Sequence, residues 1–208
     1  MLKYMGAFLL FCVSLMSHGA EFIAGQDFEV IDSNQTRTPS ASSISVTEFF
    51  SFGCPWCYRL EPVLEHWVKQ QGATIQFKKI PVVFHPDWDF YAKAYYAAQA
   101  LSMNATLNPA LFKAILDDKK SLKSNQDMID FFVKNGVERG MAESAFNNSP
   151  SIELDVKEGT ALMGQYHINA VPAIVVNQQF RTDLQMAKTE ARLLAILDFL
   201  IAKSQAKN

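Results

Sequence analysis

The stretch "ISVTEFFSFGCPWCYRLEPVLEHWVKQQG", positions 44–72, decides the fold. Its opening, Ile44 to Phe52, is dense in β-branched and aromatic residues and reads as a buried central strand running into Gly53. The pattern then switches. Leu60, Val63, Leu64, Trp67 and Val68 recur at the spacing of one helical face, and Gly72 ends the run. Pro62 falls inside this helix and is expected to kink it. Cys54 and Cys57 thus sit where a strand gives way to a helix, with Pro55 in the first helical turn, where its missing N–H costs nothing.

Working outward, "ATIQFKKIPVVF" (73–84) reads as a second strand, parallel to the first by way of the helix. Helical segments follow: "DFYAKAYYAAQAL", "PALFKAILDD", "NQDMIDFFVKNG", "RGMAESAFNN" and "SIELDVKEGTALMGQY". A strand returns only at "PAIVVN", after Val171–Pro172. A polar, hairpin-like "QQFRTD" leads to a final helix, "AKTEARLLAILDFLIAKS", at 187–204. Upstream, "FEVI" is a short apolar run and "TRTPSASS" (36–43) a loop by composition. This order predicts an α/β core, residues 21–86 and 164–208, interrupted by an all-helical insertion over 87–163.

The chain has 208 residues and is 49% hydrophobic, enough for one sizeable core with a satellite subdomain. Its net charge of -2 and dispersed cations argue against nucleic acid as a partner. The first 20 residues, "MLKYMGAFLLFCVSLMSHGA", carry Lys3, then an uncharged, largely apolar run, then Gly19 and Ala20. They read as a secretory signal peptide cut near Ala20. The run is short for an uncleaved membrane anchor, and Cys12 lies inside it behind bulky Phe11, where lipidation would want small neighbours.

Of three cysteines, Cys12 leaves with the signal, so the exported chain keeps Cys54 and Cys57. So close a pair closes too small a loop to staple a fold of this size, and points instead to redox chemistry. At a helix start Cys54 faces unsatisfied N–H donors and the positive end of the helix, both of which favour the thiolate, the reactive form. Cys57, one turn on and deeper, is placed to attack a mixed disulfide formed at Cys54. Structural zinc would need four ligands. It would have to recruit among His66, His85 and His167, none with ligand-like spacing, so no metal and no cofactor are expected.

"EFFSFGCPWCYRLEP" (48–62) and "NAVPAIVVN" (169–177) together resemble the DsbA family, the periplasmic thiol:disulfide oxidoreductases of the thioredoxin superfamily, and the likeness covers essentially the whole exported chain. The resemblance implies a thioredoxin-like fold with an inserted helical subdomain. It implies a protein dithiol oxidase acting on reduced exported proteins, reoxidised by a quinone-linked membrane partner resembling DsbB, and monomeric like the best-known members. Cys54 and Cys57 match the redox pair. Pro172 matches the loop proline that is cis and faces the active site, and Val171 before it would offer its backbone to an extended substrate strand. Glu48 matches a buried acid beneath the cysteines that could pass protons to Cys57. Its lysine partner corresponds to Lys78 or Lys79. Strand alternation allows only one to face the core, and Lys78 is preferred.

Trp56 departs from the histidine many members carry at this position. It brings no cation, though its indole face suits a substrate-binding surface, so Cys54 is expected to be acidic without the help a histidine there would give. Tyr58, Phe84 and Trp88 read as core packing or as an apolar apron around the site. The rival functions are a periplasmic disulfide isomerase or reductase, for which the chain leaves no room for the usual dimerisation domain ahead of the cysteines, and a non-catalytic thioredoxin-fold chaperone, which would have no chemical need for both cysteines.

Overall fold

The computed structural model of the chain describes residues 22–31 and 43–206. The expected signal peptide and most of the 36–43 loop lie outside the described residues.

Five strands form one sheet in the order β1-β5-β4-β2-β3. At its centre β2, Ile44–Phe50, pairs in parallel with β3, Ile75–Pro81, and antiparallel with β4, Ala173–Val176. Strand β5, Phe180–Asp183, completes a hairpin with β4, and β1, Glu29–Val30, pairs on its far side. Three residues, 177–179, join β4 to β5: Asn177 and Gln178 are at positive φ (50° and 56°), and the Gln179 N–H donates to the Val176 carbonyl at 3.0 Å to close the turn.

Buried along nearly its whole length, β2 holds the layers together: Ile44 and Val46 alternate with Ser45 and Thr47, and the strand ends on Phe49 and Phe50, which enter the core on opposite faces. On one face Val46 packs with Leu60, Leu64 and Trp67 of α1, Pro55–Gln71, and with Leu193 and Leu197 of the C-terminal helix. On the other, Phe49 and Val175 meet Tyr166 and Ile168. Helix α1 runs unbroken through Pro62, whose ring is exposed, and ends at Gly72 with φ 54°.

Between β3 and β4 lie α2 (Asp87–Ala100), α3 (Asn104–Phe112), a π-helical turn (Lys113–Asp117), α4 (Asn125–Lys134), α5 (Arg139–Asn147) and α6 (Pro150–Gln165). The α/β core with inserted helices is therefore the architecture expected. The insertion shares its core with the cysteine end of β2: Phe50, Phe52, Cys54 and Cys57 lie in one buried cluster with Leu107, Phe112 and other insertion residues. Phe50 and Phe52 are fully buried, and each contributes roughly 1.5–3 kcal/mol.

The chain's end differs from the expected single helix. Lys188 turns to φ 69°, separating a short α7, Leu184–Ala187, from α8, Glu190–Gln205. Thr189 stops any continuous helix, because its hydroxyl caps α8 by accepting from Arg192 N–H.

Candidate active site

Parallel β2 and β3 finish on the same edge of the sheet, with Phe50 opposite Pro81, and antiparallel β4 begins there, with Ala173 opposite Phe49. Three chain segments therefore meet at that edge: the Gly53–Cys54 turn after β2, the Phe84–Trp88 turn after β3, and Val171–Pro172 before β4. The Val171–Pro172 bond is cis.

Cys54 is the N-cap of α1. Its Sγ accepts the Cys57 backbone N–H at 3.3 Å, and as a thiol it donates to the Val171 carbonyl at 3.4 Å. Both cysteines are free thiols, Cys54 with a sliver of exposure (6%) and Cys57 with none. A hydrogen bond from the Cys57 thiol, aided by the N–H groups of Cys57 and Trp56, outweighs burial and brings Cys54 down to about 7. Burial, followed by the neighbouring Cys54 sulfur, pushes Cys57 well up. The two thiols are thus driven apart: one ionises near neutrality and the other stays protonated.

Beneath them lies Glu48, fully buried. Burial raises it to about 7, against the pull of Lys79. The lysine is Lys79, which corrects the preference for Lys78. Register decides it: Lys79 stands opposite Glu48 on β3 and shares its face, while Lys78 stands opposite Thr47 and is exposed. Lys79 Nζ lies 3.1 Å from Glu48 Oε2, yet its hydrogen bonds go to Glu61 of α1, at 2.6 Å to Oε1. Glu48 is therefore matched in charge, while neither of its oxygens accepts a hydrogen bond from the described residues. Lys79 also lies 4.6 Å from the Phe50 ring centroid, and both carboxylates push its affinity for protons upward against desolvation. A cleft of about 430 Å³ reaches Glu48, Glu61 and Lys79 beside Asn104 and Asn108. Glu61 escaped the sequence reading. It occupies a helix position where a glutamate is usually solvated, and only the packing of α1 on β3 brings it to Lys79.

Lys79→Met removes the one cation from this buried group. At pH 8 the variant is expected to lose about 3 kcal/mol of unfolding free energy, the scale of a broken buried pair. Below pH 7 Glu48 can take a proton instead, so the deficit should shrink as pH falls through its value of about 7. Urea unfolding at pH 6 and pH 8 checks this. A deficit equal at both would remove Glu48 from the explanation.

Trp56 is 56% exposed, and the Arg59 guanidinium lies over its ring at 4.9 Å, itself 3.6 Å from Glu190. Trp56 and Arg59 line a groove of about 630 Å³ with Val171, Pro172, Leu184 and Lys188. Pro55 opens α1 beside them. Tyr58 turns the other way. It stacks on Phe112 with ring centroids 5.2 Å apart and donates to Asp117 at 2.9 Å, pinning α1 to the π-helical turn. His66 sits on an exposed helix face beside Gln70. His167 lends its carbonyl to buried Arg181, which also holds Glu29 at 2.5 Å, so the segment leading to Val171 is tied to the far side of the sheet.

A family model described as a DSBA-like thioredoxin domain matches residues 45–89 and 80–195. The chain is 37% identical over 184 residues, 88% of its own length and 86% of the relative's, to the thiol:disulfide interchange protein DsbA of Burkholderia cepacia. Among solved structures, Pseudomonas aeruginosa DsbA superposes with a TM-score of 0.83 at 27% identity, covering 89% of this chain and 96% of that one. DsbA from Xylella fastidiosa gives 0.80 at 26%, covering 88% and 98%.

Proposed function

We infer a working cycle from one premise: the chain belongs to the DSBA-like thioredoxin family and is a thiol:disulfide oxidoreductase, a protein dithiol oxidase. In the cycle we propose, the enzyme starts with a Cys54–Cys57 disulfide. A reduced protein lays an extended segment along Val171 and Pro172, with Trp56 forming part of the surface it covers. Its thiolate attacks Cys54 Sγ, the Cys54–Cys57 bond breaks, and Cys57 leaves with the electron pair. Cys57 takes a proton through Glu48, whose charge it feels and which is reached from the cleft shared with Glu61 and Lys79. A second substrate thiolate then attacks the substrate sulfur of the mixed disulfide, and Cys54 departs as a thiolate. The substrate gains a disulfide and the enzyme two electrons, which a quinone-linked membrane partner resembling DsbB would remove.

The observation that carries this reading is the division of labour between the two sulfurs: Cys54 at the helix cap, ionising at about 7, and Cys57 buried and held protonated. A stable Cys54 thiolate is a good leaving group and makes its disulfide a strong donor. Pro55 serves by starting α1 at Cys54, and Lys79 takes the modulating place expected of Lys78. We place the chain in the periplasm as a monomer, after loss of residues 1–20. No helix among the described residues is long and apolar enough to cross a membrane.

Equilibration with glutathione tests the donor role. A potential near about -120 mV, the value of DsbA-type donors, supports it, whereas one at or below roughly -180 mV would shift the work toward isomerisation or reduction. Alkylation gives a second measure. Because the thiolate is the nucleophile, iodoacetamide labelling of the reduced enzyme should rise with pH to half its plateau at about 7, all of it on Cys54 by peptide mass. A midpoint near 9 would mean that the cap does not stabilise the thiolate.

A further inference from the structure

Gly53 precedes the reactive cysteine, and its φ does not demand glycine. What demands it is space. A Cβ built on Gly53 would stand 2.9 Å from Trp88 Cε2 and closer still to Nε1, nearer than real Cβ atoms come to a fixed ring. The Trp88 indole therefore lies directly on the backbone that carries Cys54. The ring is not loose. It is half-buried and packs, as Val171 does, against the buried cluster that holds Cys54. It sits 5.8 Å from the Phe84 ring and edge-on to His85 at 5.2 Å. Its own backbone is set by a turn, Trp88 N–H to the His85 carbonyl at 2.9 Å, which opens α2. The helix start is anchored in turn by Asp87 to Lys123 at 2.6 Å and by Asp89 to Lys93 at 3.1 Å.

One side chain from the insertion thus lies on the turn bearing Cys54 and shares a buried cluster with Val171, the residue whose carbonyl lies 3.4 Å from the Cys54 sulfur. We propose that Trp88 is a positioning residue. Seated on Gly53 and packed on the buried cluster that Val171 also packs on, its indole sets the distance between Cys54 and the Val171 backbone that receives the substrate strand, and so couples the helical insertion to the redox pair. The assignment rests on Cys54 as nucleophile and Val171 as docking backbone. Sulfur exchange needs attacking and leaving sulfurs in line, so a displacement of this turn acts on the rate of the docked complex more than on docking itself.

The test follows mixed-disulfide formation between oxidised enzyme and a short cysteine peptide, resolving kcat from KM. Trp88→Ala is expected to lower kcat about tenfold while KM stays within about twofold, and Trp88→Phe, which keeps a ring over Gly53, to recover most of the loss. Gly53→Ala should lower kcat comparably by displacing the indole, yet add less than about twofold when Trp88 is already alanine, because the two changes break one contact. Iodoacetamide needs no Val171, so its rate with the reduced variants should stay within about twofold of wild type, a result that general loosening of the fold would not produce. Losses that multiply in the double variant, a Trp88→Ala defect confined to KM, or an equal fall in alkylation would each overturn the proposal. If Trp88→Ala does not fold, Trp88→Phe and Gly53→Ala decide it by the same kcat readings, with a full tenfold loss in Trp88→Phe or none in Gly53→Ala counting against it. Wild-type turnover that is lost in Cys54→Ser checks the underlying cycle separately.

Discussion

Cys54→Ser is expected to end substrate oxidation, a loss of at least about a thousandfold, the scale seen when an enzyme loses its nucleophile. The loss is chemical rather than structural. A serine hydroxyl does not ionise near neutrality, cannot form the Cys54–Cys57 disulfide, and leaves the other sulfur no partner. The fold should be untouched, because serine is among the best N-cap residues and its oxygen can accept the Cys57 N–H that Cys54 Sγ now accepts at 3.3 Å. Turnover of a reduced protein, followed by trapping its free thiols, is the measurement, with thermal unfolding as the check on folding. Retained turnover in a folded Cys54→Ser protein would sink the cycle.

Cys57→Ser should give the opposite appearance on a gel: loss of turnover with gain of a covalent complex. The variant keeps Cys54 at the helix start, and a serine hydroxyl can still donate to its sulfur, replacing the leading influence that now holds Cys54 at about 7. Offered a protein disulfide, the Cys54 thiolate attacks one sulfur and expels the other as the substrate's thiolate, forming a mixed disulfide. In the wild type, buried Cys57 would then attack Cys54 and free the substrate. Without that thiol the complex should persist, taking most of the enzyme where the wild type shows only a few per cent. Nonreducing electrophoresis reads it as a band at the summed mass that disappears with reductant. Absence of the band, with Cys54 still open to alkylation, would deny Cys57 its resolving role.

Much of this site could be read from the residues in order. The run from Ile44 to Gly72 passes from strand composition to helix periodicity across two cysteines, and each pattern is local: period 2 or 3.6 within one segment, a capping position, a proline in the first turn. The same local rules marked the inserted helices and the hairpin before α7. They failed where two local signals compete. "AKTEARLL" continues an apolar helical pattern, and only the structure shows Thr189 acting as a cap rather than an interior residue.

What the sequence by itself determined is the chemistry: a redox pair at a strand-to-helix switch, an acid in an apolar strand, and a proline opening β4. What only the tertiary structure decided is which groups face them. Lys79 rather than Lys78 pairs with Glu48 because the parallel register sets it opposite, and Glu61 joins them because α1 folds back across β3. Trp88 reaches Gly53 because two parallel strands end on one edge and the chain leaving the second turns over the first. The physical reason is common to all three. Spacing along a chain says which residues share a face of one element, but the offset between elements is fixed by packing and inter-strand hydrogen bonding, and a shift of one residue would exchange every partner.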